Sequence, residues 1–180
     1  MIKKNKGVVK IKQGKNLLYK FMEIKELMQT FAHAGKVAWL SYRPGPTSRG
    51  EIVVVDEIEV SEKKGIVGDR YKGSNKKRQV TLIQAEHIEA VSKMLQKDNI
   101  DPALLRRNIV VSGLNLLALN NLEFKIGEAI LKMTGYCHPC SRMEQNLGTG
   151  GYNAMRGHGG ITCMVIKAGK IKIGDSVSLV

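Results

Sequence analysis

Glu123-Phe124-Lys125-Ile126-Gly127-Glu128-Ala129-Ile130-Leu131-Lys132-Met133-Thr134 is the stretch on which the fold reading turns. Glu123 to Ile126 alternates polar and apolar residues, the period of a half-buried strand, and a new apolar run starts at Ala129. Between them Gly127-Glu128 supplies the residue types of a tight turn, so the stretch predicts a β-hairpin. The same phrase returns at Ile171-Lys172-Ile173-Gly174-Asp175-Ser176 and leads into a strand at Val177–Val180. Working outward, short apolar segments at Asn108–Val111 and Thr162–Lys167 complete a β-rich second half. In the first half, strands are expected at Val37–Tyr42, over Ile52–Val60 and at Gln79–Ile83. Many short strands separated by turn signals predict a mainly β, barrel-like fold.

Two or three peripheral helices are expected on it. Residues 84–96 place Ala85, Ile88, Val91 and Leu95 on one helical face. Asp101-Pro102 reads as a cap followed by proline at the first position of a short helical turn. Ile24, Leu27, Met28 and Phe31 suggest a helix over 22–34, with Gly35 as its stop.

The 180 residues fit one domain, read here as 22–180, preceded by a basic arm over 1–21. The formal net charge is +13, and the arm alone holds seven Lys and no acid. The other 159 residues, with 22 Lys and Arg against 16 acids, carry only +6. The arm keeps open a second function class, a basic accessory protein on nucleic acid, which predicts steep salt dependence. Phe, Tyr and Trp make up only 5% of the chain, leaving few stacking platforms for single strands. No apolar run approaches the ~18–20 residues of a membrane span, and no apolar stretch follows the first lysines as a secretory leader requires. Three cysteines, two of them three positions apart, do not make a disulfide framework. A cytoplasmic protein is expected.

Chemistry concentrates in the second half. Gly135-Tyr136-Cys137-His138-Pro139-Cys140-Ser141-Arg142 sets two thiols and an imidazole within four residues. Such a group can run thiol exchange, present one nucleophile, or contribute to a zinc site. Structural zinc needs four ligands, and His158 and Cys163 are the scattered remainder. A reactive thiolate needs positive charge nearby, and Arg142 and His138 are close in sequence. The bland reading makes both cysteines small buried residues near a turn.

Residues 148–160 hold six glycines in thirteen, together with Arg156 and His158. Exposed backbone N–H groups and these cations favour an anion, although a mobile lid fits the composition equally well. Arg106-Arg107-Asn108, entering an apolar strand, suits phosphate, and Gly68-Asp69-Arg70-Tyr71 with Arg78 adds two more cations. Arg70, Arg78, Arg106, Arg107, Arg142 and Arg156 are six of the eight arginines, and they keep company with the glycines and thiols. That pattern points to an anionic, phosphate-bearing small molecule.

Through Gly68–Tyr71, Arg78–Ile83, Arg106–Asn115 and Cys137–Gly160, the chain resembles the MOSC family, in its short stand-alone bacterial form. The family takes its name from the C-terminal domain of molybdenum-cofactor sulfurase. The resemblance implies a β-barrel fold and an essential cysteine, which Cys140 matches. That cysteine would ligate the molybdenum of a molybdopterin-type cofactor or carry sulfur as a persulfide. Arg106 and Asn108 match an Arg-x-Asn element that contacts the pterin phosphate region in cofactor-bearing relatives. Arg70, Arg78, Arg142, Arg156 and His158 are the further cofactor-binding candidates. Relatives with bound cofactor reduce N-hydroxylated compounds. The partners implied are a small-molecule substrate and either a cysteine desulfurase or an electron-transfer protein, since the chain has no ferredoxin-type cysteine cluster of its own. Pyridoxal phosphate enters only as a family association, through fusion of the domain to a desulfurase; the sequence has no Schiff-base lysine motif.

Overall fold

The hairpin at Gly127 forms, and its two strands are staves of a closed barrel. The computed structural model describes residues 24–45 and 51–180. The chain divides into two units, Met1–Thr30 and Phe31–Val180. In the first, the described part is one helical turn, α1 (Ile24–Leu27), with the Thr30 hydroxyl donating to the Glu26 carbonyl at 2.8 Å. The basic arm over 1–21 lies outside the described residues.

The second unit opens with β1 (Gly35–Tyr42), followed by β2 (Val53–Val55), β3 (Glu57–Ser61), β4 (Gly65–Ile66) and β5 (Val80–Gln84). Helices α2 (Ala85–Met94) and α3 (Pro102–Leu105) lead to β6 (Ile109–Ser112). A 3-10 turn at Leu116–Leu119 precedes the hairpin β7 (Glu123–Ile126) and β8 (Ala129–Tyr136). Then come α4 (Ser141–Leu147), α5 (Gly151–Ala154), β9 (Ile161–Lys167), β10 (Gly169–Lys172) and β11 (Ser176–Leu179). None of the described helices is long and apolar enough to cross a membrane.

Seven strands close in the order β11-β7-β8-β9-β5-β6-β1, with β1 pairing back onto β11 at Gly35–Val177 and Lys36–Ser176. Closure leaves no unpaired edge in the ring, and β2 is added outside it along β1. A second sheet, β10-β3-β4, is joined antiparallel through Ile171–Ile58 and Val60–Ile66. Every pairing in the ring is antiparallel except β5 with β6, which are joined through α2 and α3. A parallel connection needs such a crossover, and the crossover covers the outer face of the two strands.

That cover explains why successive residues of β5 and β6 are buried without a break while β7 alternates. In β7, Phe124 and Ile126 point into the barrel and their neighbours are exposed. In β5 and β6, Val80, Leu82, Ile109 and Val111 fill the barrel, whereas Ile83 and Val110 face a second apolar cluster with Val91, Leu105, Met143 and Met155. Burying each such side chain contributes about 1.5–3 kcal/mol. The second cluster thus fixes the helices α2 to α5 against β5 and β6.

Two expectations change. Helix α1 ends at Leu27, well short of residue 34, and Gly35 begins β1 instead of stopping a helix. A Cβ at Gly35 would lie 2.7 Å from the Leu114 Cβ, so close packing of strands is what requires glycine there. The glycine-rich 148–160 stretch is not a free lid. Its middle is α5, and the Glu144 carboxylate accepts the N–H groups of Gly150 and Tyr152, both at 2.8 Å. Those two bonds hold the Glu144 carboxyl below its ordinary range.

Candidate functional site

The crossover after α2 builds one wall of the site. Asp101 caps α3 by accepting the Ala103 N–H at 2.9 Å, and the helix stops at Arg106, whose backbone is left-handed at φ 61°. Glycine usually takes that position because a Cβ is disfavoured there, by roughly 1–2 kcal/mol. The reversal sends the two neighbouring arginines in opposite directions. Arg106 is half-buried beside a cleft of about 750 Å³. Arg107 turns inward and is only 7% exposed.

Arg107 is a tie between segments. Its Nε donates to the Gly159 carbonyl at 2.7 Å, one Nη to the Leu105 carbonyl at 2.8 Å and the other to the Cys137 carbonyl at 3.5 Å. Burial, ahead of neighbouring charges, pushes its guanidinium below the usual arginine range. Three carbonyls around a buried cation lock the Cys137 turn to the glycine-rich segment. A Cβ at Gly159 would lie 2.0 Å from the Cys137 carbonyl oxygen, so only glycine lets those backbones meet.

Asn108 is equally occupied. Its Oδ1 accepts from the Thr81 N–H at 3.0 Å and hydroxyl at 2.7 Å, while its Nδ2 donates to the Ser41 carbonyl at 3.3 Å and to Asp69 at 3.4 Å. Asp69 is the hub behind the cleft, with a side chain 1% exposed. It accepts from the Arg43 N–H at 2.9 Å, from the Arg43 guanidinium at two 3.4 Å contacts, and from the Tyr71 N–H at 2.9 Å. This network aligns the loop after β1 with the segment that carries Arg70.

The cleft is lined by Arg70, Arg106 and Arg142, with Ile52, Gln145 and Asn146 among the rest, and none of its described lining residues is acidic. Partial burial first, then Arg142, Arg43 and Arg70, lower the Arg106 guanidinium from its ordinary value, and Cys140 opposes them. Three further guanidinium groups therefore act on Arg106, and the exposed Cys140 thiol acts on it in the opposite sense. Such a concentration of positive charge favours a multiply charged anion. Cys140 stands immediately before α4 on extended backbone at φ −124°, with its carbonyl accepting the Met143 N–H at 2.8 Å.

Cys137 is a different kind of thiol. It is buried at the end of β8, where the Arg78 guanidinium donates to its sulfur at 3.7 Å. It contributes, with Tyr136, His138, Pro139, Gly157 and Gly160, to a smaller hollow of about 300 Å³. Cys163 is fully buried, and burial pushes its thiol up. Among the described residues no three His, Cys, Asp or Glu side chains are grouped to hold a metal ion.

Of the residues singled out by sequence, the structure gathers Arg70, Arg106 and Arg142 on the cleft lining, and Cys140 lies near enough to act on the Arg106 charge without lining the cleft. Arg78 sits instead at Cys137, and Asn108 is buried behind the cleft. Arg156 is exposed, and its carbonyl oxygen lies 3.1 Å from the His158 Nδ1; neither residue lines the cleft. Arg43 and the Asp69 hub are additions that only the fold reveals. Arg43 carries no signal beyond preceding Pro44-Gly45, and its partner lies 26 positions away.

Residues 68–178 match the family model of the MOSC domain. The chain belongs to the MOSC domain family. The match begins at Gly68, just before Asp69 and Arg70, and runs past both cysteines, Cys137 and Cys140, into β11. No curated protein matches. Among solved structures, the YuaD protein from Bacillus subtilis superposes with a TM-score of 0.68 at 20% identity, covering 81% of this chain and 94% of that one. YiiM from Escherichia coli gives 0.61 at 20% identity, covering 81% and 69%, and YiiM from Geobacillus stearothermophilus gives 0.64 at 16%, covering 81% and 75%. At these identities the likeness is one of fold.

Proposed function

We propose that this MOSC domain binds a phosphorylated, molybdopterin-type cofactor in the arginine-lined cleft, with Cys140 as the protein's ligand to molybdenum, and reduces N-hydroxylated compounds. The observation that carries the reading is a cleft of about 750 Å³ lined by Arg70, Arg106 and Arg142, with Arg43 and the exposed Cys140 close enough to act on the Arg106 charge. A persulfide carrier needs one thiol and little volume; this cleft has room for a whole cofactor. A thiolate is a soft donor suited to the metal, and arginine forks suit phosphate. No lysine is among the described residues lining the cleft, so it offers pyridoxal phosphate no Schiff-base partner.

In this reading Arg106, Arg142 and Arg70 bind the anionic part of the cofactor by charge-assisted hydrogen bonds. Arg43 adds to the field and is aimed by Asp69, and Asn108 positions Asp69 without touching the ligand. Arg78 holds the Cys137 thiol, and Arg156 and His158 stand outside the cleft. The bound group supplies two-electron redox chemistry at the metal, with electrons from a separate protein. The protein's own part is to hold Cys140 near Arg106 and neutralise the phosphate.

The test is molybdenum and pterin content per chain after purification from a molybdenum-replete host. Wild type is expected to carry both, and Cys140→Ser to lose the metal. Wild-type protein lacking both under these conditions would sink the reading, and intact metal content in Cys140→Ser would remove Cys140 from it.

A further inference from the structure

We infer that His87 and His158 form an acid-released latch between α2 and the glycine-rich segment that walls the hollow at Cys137. Their ring centroids are 5.1 Å apart at an interplanar angle of 84°, an edge-to-face contact between two residues 71 positions apart. Neutral imidazoles are suited to that arrangement. The His158 Nδ1 lies 3.1 Å from the Arg156 carbonyl oxygen, which can only accept, so the Nδ1 carries the proton and the Nε2 is free of one in the neutral ring. The His87 Nδ1 is fully buried and has no hydrogen-bond partner.

Charging both rings sets two like charges at close range, one of them on a ring with no buried acceptor for its new proton. The surroundings offer little compensation. Strands β5 and β6, on which α2 packs, contain no ionisable side chain. From the glycine-rich side the neighbours are cations: Arg156, and Arg107 through its bond to Gly159. On the helix itself Glu86 stands next to His87 with its carboxylate engaged by the Gly113 N–H at 2.7 Å, and Glu89 is exposed and paired with Lys93 at 3.3 Å.

Burial first and His158 second hold the His87 imidazole below its ordinary 6.5, against Glu86. The sign follows. The neutral contact is fully present above about pH 6.5 and is lost as the pH falls through the lowered folded-state value. His158 directly precedes Gly159 and Gly160, which line the hollow beside Cys137 and Pro139. Acidification therefore loosens the wall next to Cys137, whatever ligand the cleft holds.

The experiment is an NMR titration of the histidine Cε1–H resonances in the full chain, with amide exchange of residues 157–160 measured at pH 5.5 and 7.5 and corrected for intrinsic exchange. The His87 midpoint is expected below 6.5, rising by about half a pH unit or more in His158→Gln. Protection at Gly157–Gly160 is expected to drop at least several-fold at the lower pH in wild type, and to lose that pH dependence in His87→Phe and in His158→Phe, either of which keeps a ring. A His87 midpoint that ignores the His158 substitution overturns the latch, as does pH-independent protection in wild type or unchanged pH dependence in both Phe variants.

Discussion

Asp69→Asn isolates the hub behind the cleft. The change keeps the shape, removes the charge and turns one acceptor into a donor. In the native protein the two carboxylate oxygens accept five contacts, from the Arg43 N–H, Nε and Nη2, from Tyr71 N–H and from Asn108 Nδ2. An amide nitrogen in place of either oxygen would face at least two of those donors. Hydrogen bonds to a charged group contribute about 1.5–3 kcal/mol each, and removing one partner of a buried ion pair costs about 3–5 kcal/mol. The Arg43 side chain is 22% exposed and its guanidinium contacts are long at 3.4 Å, which argues for the low end. A loss of about 3 kcal/mol is expected, or a fall in Tm of about 6–12 °C for a domain of this size. Urea unfolding, with an unchanged m-value, measures it, and phosphate-analogue binding should weaken because Arg43 is no longer aimed. A stability loss below about 1 kcal/mol would refute the claim that Asp69 is the hub.

Two further outcomes follow from the same geometry. Arg106→Gly should raise stability by about 1 kcal/mol, because glycine accepts the left-handed backbone at φ 61°, while cofactor retention falls; thermal melts and metal content read the two effects separately. Glu144→Gln should flatten the acid side of the stability curve. The Tyr152 and Gly150 N–H groups depress the native carboxyl, so its contribution is present above its ordinary 4.5 and disappears as the pH falls through the native value; urea midpoints between pH 3 and 7 test the slope.

Much of the barrel was legible residue by residue. Alternation at Glu123–Ile126 and the Gly127-Glu128 turn gave the β7–β8 hairpin because a single buried face imposes a period of two. Asp101-Pro102 announced α3 through local hydrogen bonding that needs no distant partner. The glycine-rich stretch misled for the opposite reason. Its order comes from Glu144 and Arg107, side chains reaching in from α4 and from the start of β6, and composition alone records only the freedom of the glycines.

The site divides along the same line. Local sequence determined that a thiol, a helical stop and a set of arginines would recur among glycines, and these carried the family resemblance. Tertiary structure decided what each one does. Adjacent Arg106 and Arg107 differ because the left-handed residue between α3 and β6 turns one to the cleft and the other to the interior. Cys137 and Cys140 differ because one is buried just after β8 and the other is exposed at the N-terminal cap of α4. Arg43 and Asp69 meet only because the chain after β1 pairs with the Gly68 loop through the Pro44–Asp69 bridge, a contact no periodicity encodes.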